Sequence, residues 1–260
     1  MNLEWLSAET IKLLLEGLSL TIWLTAVTSV TSLVLGVMVG SFKLSKNRML
    51  RWSAAVYIEI HRNIPALVLI IFWAFAVPQL FSTDMRRVLF FNNSLIYEIE
   101  RLTGLSVPYY TLAVGIALTL NTSAYLAELY RAGVGTIPQN IVDAARTLGA
   151  SSWIILSRIL IPRGLGAAFP AISTRLIHHM KNTTLAALVA SPEFFHNTQT
   201  AISRSFRAVE YLLLAAVVYL ILSGLYAKLL RWIEVNLNRR PSFSREHIAS
   251  LEGAQNLVLE

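Results

Sequence analysis

Thr174, Arg175, His178, His179, Lys181 and Asn182 crowd into one short stretch of a segment, 166–190, that is apolar at both ends. Hydrogen-bond donors and positive charge gathered in this way can hold an anion. A guanidinium forms bidentate pairs, so Arg175 is the residue suited to a substrate carboxylate. At 100° per residue the six polar groups share an arc of about 160°, and Leu176, Ile177 and Met180 fill the other side. Ionisable side chains at membrane depth are costly and face a bundle interior or an aqueous cavity. The stripe therefore reads as one wall of a translocation path for a negatively charged or zwitterionic substrate. The alternative is that Arg175 or Lys181 pairs with a carboxylate on a neighbouring subunit. His178 and His179 diverge by about 100° on a regular helix, so they cannot share a metal ion, and each suits a hydrogen bond to ligand or backbone. No metal site is expected, and no catalytic residue. Asn121, Tyr125 and Glu128 share a face of an earlier apolar segment at i, i+4 and i+7. Asn121 and Tyr125 join the path candidates. Glu128 has Arg131 three residues on, which reads as an intrahelical ion pair, with a gating role as the alternative.

Long apolar helices must position these groups. The chain of 260 residues is 55% hydrophobic and only 14% charged, with mean hydropathy +0.57, whereas ordinary soluble domains are about 25% charged. Residues 17–42 and 64–83 carry no charge, and a bilayer needs roughly 20 apolar residues per helix. Five spans follow, at about 17–42, 64–83, 109–130, 166–190 and 208–232. They make one transmembrane domain over 1–240, ahead of a cytoplasmic tail at 241–260. Residues 1–16 read as a short amphipathic lead-in. Glu4 and Glu9 stand where a cleavable signal would be basic, so the first span is expected to stay in the membrane. Gly36 and Gly40 form a small-xxx-small pair that permits close helix packing, and a short amphipathic helix is expected around Leu95–Leu102.

With the N-terminus outside, the inner segments 43–63, 128–165 and 228–260 hold five, four and five Lys or Arg. The outer segments 1–16, 82–108 and 191–207 hold one, three and two. That asymmetry predicts N-terminus out and C-terminus in. It also accounts for most of the +7 net charge, so nucleic-acid binding is not inferred. With no cysteine in the chain, disulfides, thiol catalysis and thiolate metal sites are excluded.

Between the third and fourth spans lies a soluble-looking segment, 138–162. It runs Asp143-Ala144-Ala145, three residues, Gly149, nine residues, then Ile159-Leu-Ile-Pro162. Asp143 favours a helix N-terminus, the alanines admit a partner surface, and Gly149 permits a turn. Pro162 is expected to stop a second short helix before the fourth span. This segment resembles the cytoplasmic coupling loop of ABC-importer permeases (Glu-Ala-Ala, Gly, Ile-x-Leu-Pro), with Asp143 in place of Glu and Ile161 in place of Leu. Three other stretches are similar to the polar-amino-acid branch of that family: Tyr57 to Pro65 with Glu59 and Arg62, Tyr125 to Gly133 with Glu128 and Arg131, and Lys181 to Leu185. The segment from Ser191-Pro-Glu-Phe-Phe195 through Glu210 resembles glutamate/aspartate-type members less specifically.

The resemblance implies an all-α integral membrane protein of five transmembrane helices, with a cytoplasmic coupling helix-turn-helix between spans three and four. It implies the permease subunit of an ATP-driven, binding-protein-dependent amino-acid importer in a bacterial inner membrane, with acidic or polar amino acids favoured. Asp143, Ala144, Ala145, Gly149, Ile159 and Pro162 would contact a cytoplasmic ABC ATPase dimer. A second permease, identical or sister, and a periplasmic amino-acid-binding protein complete such a system. Arg175 departs from the family pattern, where an uncharged amide is common. No Gly-rich phosphate loop is present, so no cofactor is expected on this chain, and ATP and Mg²⁺ belong to the ATPase. The rival readings are a self-sufficient ion-coupled secondary transporter and a non-transporting membrane scaffold. The odd span count, the absence of paired broken helices and the coupling-loop match count against the first. The polar stripe counts against the second.

Overall fold

The computed structural model describes residues 7–238. The expected tail at 241–260 and the first six residues of the lead-in lie outside them. Every regular element among the described residues is helical: α1 (Ala8–Lys43), α2 (Arg48–Asn63), α3 (Ala66–Gln79), α4 (83–91), α5 (Ser94–Thr103), α6 (Tyr109–Gly135), α7 (Gln139–Thr147), α8 (Ser152–Val189), α9 (Phe194–Ser205) and α10 (Ala208–Asn238).

α6 is the hub, packing against α1, α2, α3 and α8. Small residues let it approach. A Cβ on Gly36 would sit 2.8 Å from the Leu126 Cβ, and one on Gly40 2.7 Å from the Tyr130 ring. On the other flank a Cβ on Gly133 would overlap the Gly164 carbonyl of α8. With apolar solvent outside the bundle, close van der Waals contact has to drive helix association. The expected Gly36/Gly40 pair is thus the α1–α6 seam. α10 leaves Val209, Leu213, Leu220 and Leu229 exposed, as a helix in apolar solvent can.

α1, α6, α8 and α10 are each long and apolar enough to cross a membrane, and a fifth span exists only if α2 and α3 count as one. The second span, expected at 64–83, corresponds to α3, the second arm of that bent pair. α3 is about 21 Å long at 1.5 Å per residue, short of the roughly 30 Å hydrocarbon core. It meets α2 at a 102° bend. Ile64 is extended (ψ 127°) ahead of Pro65, as the residue before a proline tends to be. α2 packs along α6: the Tyr57 hydroxyl contacts Ser123 Oγ at 2.7 Å, at mid-length of α6.

A correction concerns Pro162, which does not end a helix. α8 runs unbroken from Ser152 to Val189. A π-turn at Leu156–Leu160 passes the Ile161 N–H to the Leu156 carbonyl, and this widened turn accommodates the proline ring immediately after it. The helices that carry the expected third and fifth spans run on to Gly135 and Asn238. α5 occupies the expected amphipathic stretch. α4 and α9 were not foreseen; α9 carries a polar face and packs between α1 and α10.

Candidate functional site

The α2–α3 bend leaves carbonyls at the end of α2 without helical donors. Two side chains of α6, one turn apart, serve them. Asn121 Nδ2 donates to the His61 carbonyl at 2.7 Å, and the Tyr125 hydroxyl donates to the Arg62 carbonyl at 3.2 Å. Asn121 Oδ1 in turn accepts from Arg175 Nη2 at 2.9 Å. The Arg175 guanidinium carbon lies 3.7 Å from the Tyr125 ring centroid, with that of Arg62 at 5.3 Å. Two guanidinium groups thus attend one tyrosine, a cation–π arrangement. Arg175 Nε is buried and has no acceptor.

Arg62, Tyr125 and Arg175 border a groove of about 280 Å³ between α2, α6 and α8, where Thr174 and His178 also face. Thr174 Oγ1 bonds back to the Pro170 carbonyl at 3.1 Å. At one end of the groove Glu128 is held by Lys43 Nζ of α1 at 2.5 Å and by Arg131 at 2.9 Å. Its charge is therefore compensated, and Arg62 and Arg175 leave the groove net positive.

The polar arc of α8 does not act as one face. Thr174, His178 and Lys181 are exposed, Arg175 and Asn182 are half-buried, and His179 turns into the core. Lys181 and Asn182 lie along α8 beyond the groove lining, and the Lys181 ammonium forms no ion pair among the described residues. His179, expected on the path with a bond to ligand or backbone, is instead fully buried between two threonine hydroxyls. Its Nε2 lies 2.6 Å from Thr28 Oγ1 of α1, and its Nδ1 2.8 Å from Thr122 Oγ1 of α6. Thr28 Oγ1 is also 2.6 Å from the Leu24 carbonyl, a contact that needs the hydroxyl proton. Nε2–H therefore donates to Thr28 and Nδ1 accepts from Thr122. A side chain bonded this way fastens three helices. No group of three or more metal-ligating side chains occurs among the described residues.

Glu193, absent from the sequence-derived site, is fully buried in the α8–α9 connection. It caps α9, accepting from the His196 N–H at 2.8 Å, and meets the hydroxyls of Tyr219 at 3.1 Å and Thr21 at 3.2 Å. Burial pushes its carboxyl above the usual carboxylate range, opposed by these donors. Only its position within the Ser191–Phe195 stretch could have drawn attention to it.

In the segment 138–162, α7 begins at Gln139 behind Pro138. Asp143 therefore lies on the second turn, not at the helix start. Its carboxylate accepts from Gln139 and Arg146 at 3.1 and 3.0 Å. Gly149 turns the chain with φ +79°, the left-handed conformation that glycine adopts without strain. Ala144 and Pro162 are exposed, and Ala145 and Ile159 half-buried. Beside the turn Leu148 and Trp153 are 87% and 70% exposed. Single apolar residues leave no periodic signal, so the sequence does not single these two out.

The described residues thus form a helical bundle of membrane-spanning length with a groove lined by Arg62 and Arg175. Residues 32–241 match the family model described as binding-protein-dependent transport system inner membrane component. The glutamine transport system permease protein GlnP of Escherichia coli (strain K12) is 28% identical over 235 residues, covering 90% of this chain and 97% of that one. The probable glutamine ABC transporter permease protein GlnP of Bacillus subtilis (strain 168) is 30% identical over 193 residues, 74% of this chain and 78% of that one. Among solved structures, an amino acid ABC transporter crystallised with histidines shares the fold at TM-score 0.67 and 24% identity, covering 91% of this chain and all of that one. An inward-facing MetNI methionine ABC transporter also superposes at TM-score 0.67, with 19% identity, 90% of this chain and all of that one. The chain belongs to the permease subunits of binding-protein-dependent ABC importers, in their amino-acid branch. Such a subunit is a transport component without catalytic activity, and ATP hydrolysis resides in a separate subunit.

Proposed function

We propose that this permease carries an acidic or polar amino acid past Arg175, which takes the substrate carboxylate. The observation that carries the reading is the buried Arg175 Nε–H without an acceptor, at the edge of a groove. A buried charged donor left unpaired costs free energy unless a ligand serves it. The excess of Arg62 and Arg175 over the compensated Glu128 favours a negatively charged or neutral polar substrate over a basic one. The relatives named for glutamine support an amino acid with a polar side chain.

Thr174, His178 and Lys181 recur at i, i+4 and i+7 and are exposed on α8. A second permease, identical or sister, closes this face and encloses an aqueous path. A cytoplasmic ABC ATPase dimer docks on α7 and the Gly149 turn, gripping Leu148 and Trp153 with Asp143, Ala144, Ala145, Ile159 and Pro162 in or beside the contact. That ATPase binds ATP and Mg²⁺, and this chain binds no cofactor. A periplasmic amino-acid-binding protein delivers substrate to the outer face. The subunit lies in a bacterial inner membrane, N-terminus out and C-terminus in, as its inner-side excess of Lys and Arg favours.

The test is equilibrium binding of radiolabelled L-glutamate, L-aspartate, L-glutamine and L-arginine to the purified complex. Loss of a charge-assisted hydrogen bond, about 1.5–3 kcal/mol, predicts that Arg175→Ala weakens acidic or polar ligands by roughly ten- to a hundredfold. Undiminished affinity in Arg175→Ala, or a preference for L-arginine, contradicts the assignment.

A further inference from the structure

The same two side chains, Asn121 and Tyr125, touch both the end of α2 and Arg175, which lines the groove. Asn121 donates to the His61 carbonyl on one side and accepts from Arg175 on the other, at 2.7 and 2.9 Å. Tyr125 caps the Arg62 carbonyl through its hydroxyl and lies under Arg175 through its ring. Arg62 closes the circuit: its carbonyl belongs to the end of α2 and its guanidinium to the groove. The chain path at this end is held by few other polar contacts. The Ile60 carbonyl accepts from the Ile64 N–H, and the His61 ring bonds only within its own helix, to the Tyr57 carbonyl at 2.9 Å.

We infer that Asn121 is a positioning residue that links occupancy of Arg175 to the angle between α2 and α3; the inference rests on the substrate reading given above. A carboxylate that takes Arg175 Nε–H lies next to Nη2 and competes with Asn121 Oδ1 for that nitrogen's donors. Asn121 then loses the partner that fixes its amide plane, and the cap on His61 loosens with it. Linkage makes the effect reciprocal: a change in the bend alters how firmly Asn121 holds Arg175, and so alters affinity for the anion. Its two bonds give Asn121 a role that neither capping alone nor substrate contact alone requires.

The chain has no cysteine, so spin labels can be placed on it selectively. Ile60 and Ile71 are exposed on either side of the bend. Ile60→Cys/Ile71→Cys is labelled in the assembled complex with its ATPase, and the distance distribution is measured by pulsed electron resonance. The probe is whichever of L-glutamate, L-aspartate and L-glutamine binds in a parallel binding assay. The expected result is a probe-dependent shift in wild type that is lost in Asn121→Ala and in Asn121→Asp. The aspartate variant keeps an acceptor for Arg175 but cannot donate to the His61 carbonyl, so it separates linkage from simple support of the arginine. Asn121→Gln, retaining both functions, restores part of the shift. Binding without any shift in wild type, or an equal shift in the Asp variant, overturns the linkage and leaves the substrate reading intact. Absence of binding by all three probes overturns both.

Discussion

His179→Leu replaces a buried imidazole with an apolar side chain of similar bulk and removes the bonds to Thr28 and Thr122. Thr28 keeps the Leu24 carbonyl as acceptor, so the loss falls mainly on Thr122 and on the ties between α1, α6 and α8. Interhelical hydrogen bonds inside membranes average about 0.6 kcal/mol and reach about 1.7. Two of them put the expected destabilisation at about 1.2 kcal/mol, with about 3.4 as the ceiling. A double-mutant cycle with Thr122→Val isolates one bond, and its coupling energy is expected near 0.6 kcal/mol. The assay is reversible unfolding of the purified subunit in mixed micelles, alongside equilibrium substrate binding to the assembled complex. Stability is expected to fall while affinity stays within about twofold, less than 0.5 kcal/mol. If affinity collapses while unfolding is unchanged, His179 belongs to the path and its assignment as a core fastener is wrong.

Other regions give independent expectations. Gly133→Val drives a side chain into the Gly164 carbonyl, so the subunit should fail to accumulate as folded protein, whereas the same change at Gly135, with open space around it, should be tolerated by size-exclusion profile. Gly149→Ala places a Cβ at φ +79° and should cost roughly 1–2 kcal/mol, lowering ATPase stimulation by substrate-loaded binding protein. Leu148→Asp with Trp153→Ala should dissociate the ATPase in a pull-down while leaving the subunit's own melting temperature unchanged. Glu193 has a raised folded-state carboxyl pKa, so the stability it contributes is fully present below the unfolded value and is lost as pH rises through the folded one. Glu193→Gln should flatten that dependence in melting temperatures taken from pH 4.5 to 8; an unaltered profile would place the titration elsewhere.

The sequence and the structure part company where periodicity stops being informative. Uncharged runs located the apolar helices, because burying twenty apolar residues in lipid tolerates little ambiguity. The 102° bend was hidden since Pro65 reads equally well as the first turn of a fresh span, and nothing local reveals that α2 packs along α6. Pro162 misled for a related reason: a proline ends a helix unless the preceding turn widens, and the π-turn at Leu156–Leu160 leaves no compositional mark. At the site, helical geometry grouped Arg175 with Thr174 and His178, and i, i+4 spacing placed Asn121 with Tyr125 on a facing helix. The arc also swept in His179, because a wheel gives angular position without saying where the core begins. Thr28 and Thr122, distant in sequence, decide that boundary. Arg62 stood in a quoted motif without a role, which it acquires only when the bend carries it over Tyr125.

ATP-driven uptake most directly tests the claim that the Arg175 groove carries the substrate. The complex is reconstituted in proteoliposomes with ATP inside and substrate-loaded binding protein outside, and wild type is compared with Arg175→Ala and Arg175→Lys. Uptake of an acidic or polar amino acid should require ATP, fall at least tenfold in the alanine variant and recover partly in the lysine variant, with ATPase association unchanged. Wild-type uptake that persists without ATP and follows an ion gradient, or an alanine variant that transports as well as wild type, would contradict the account.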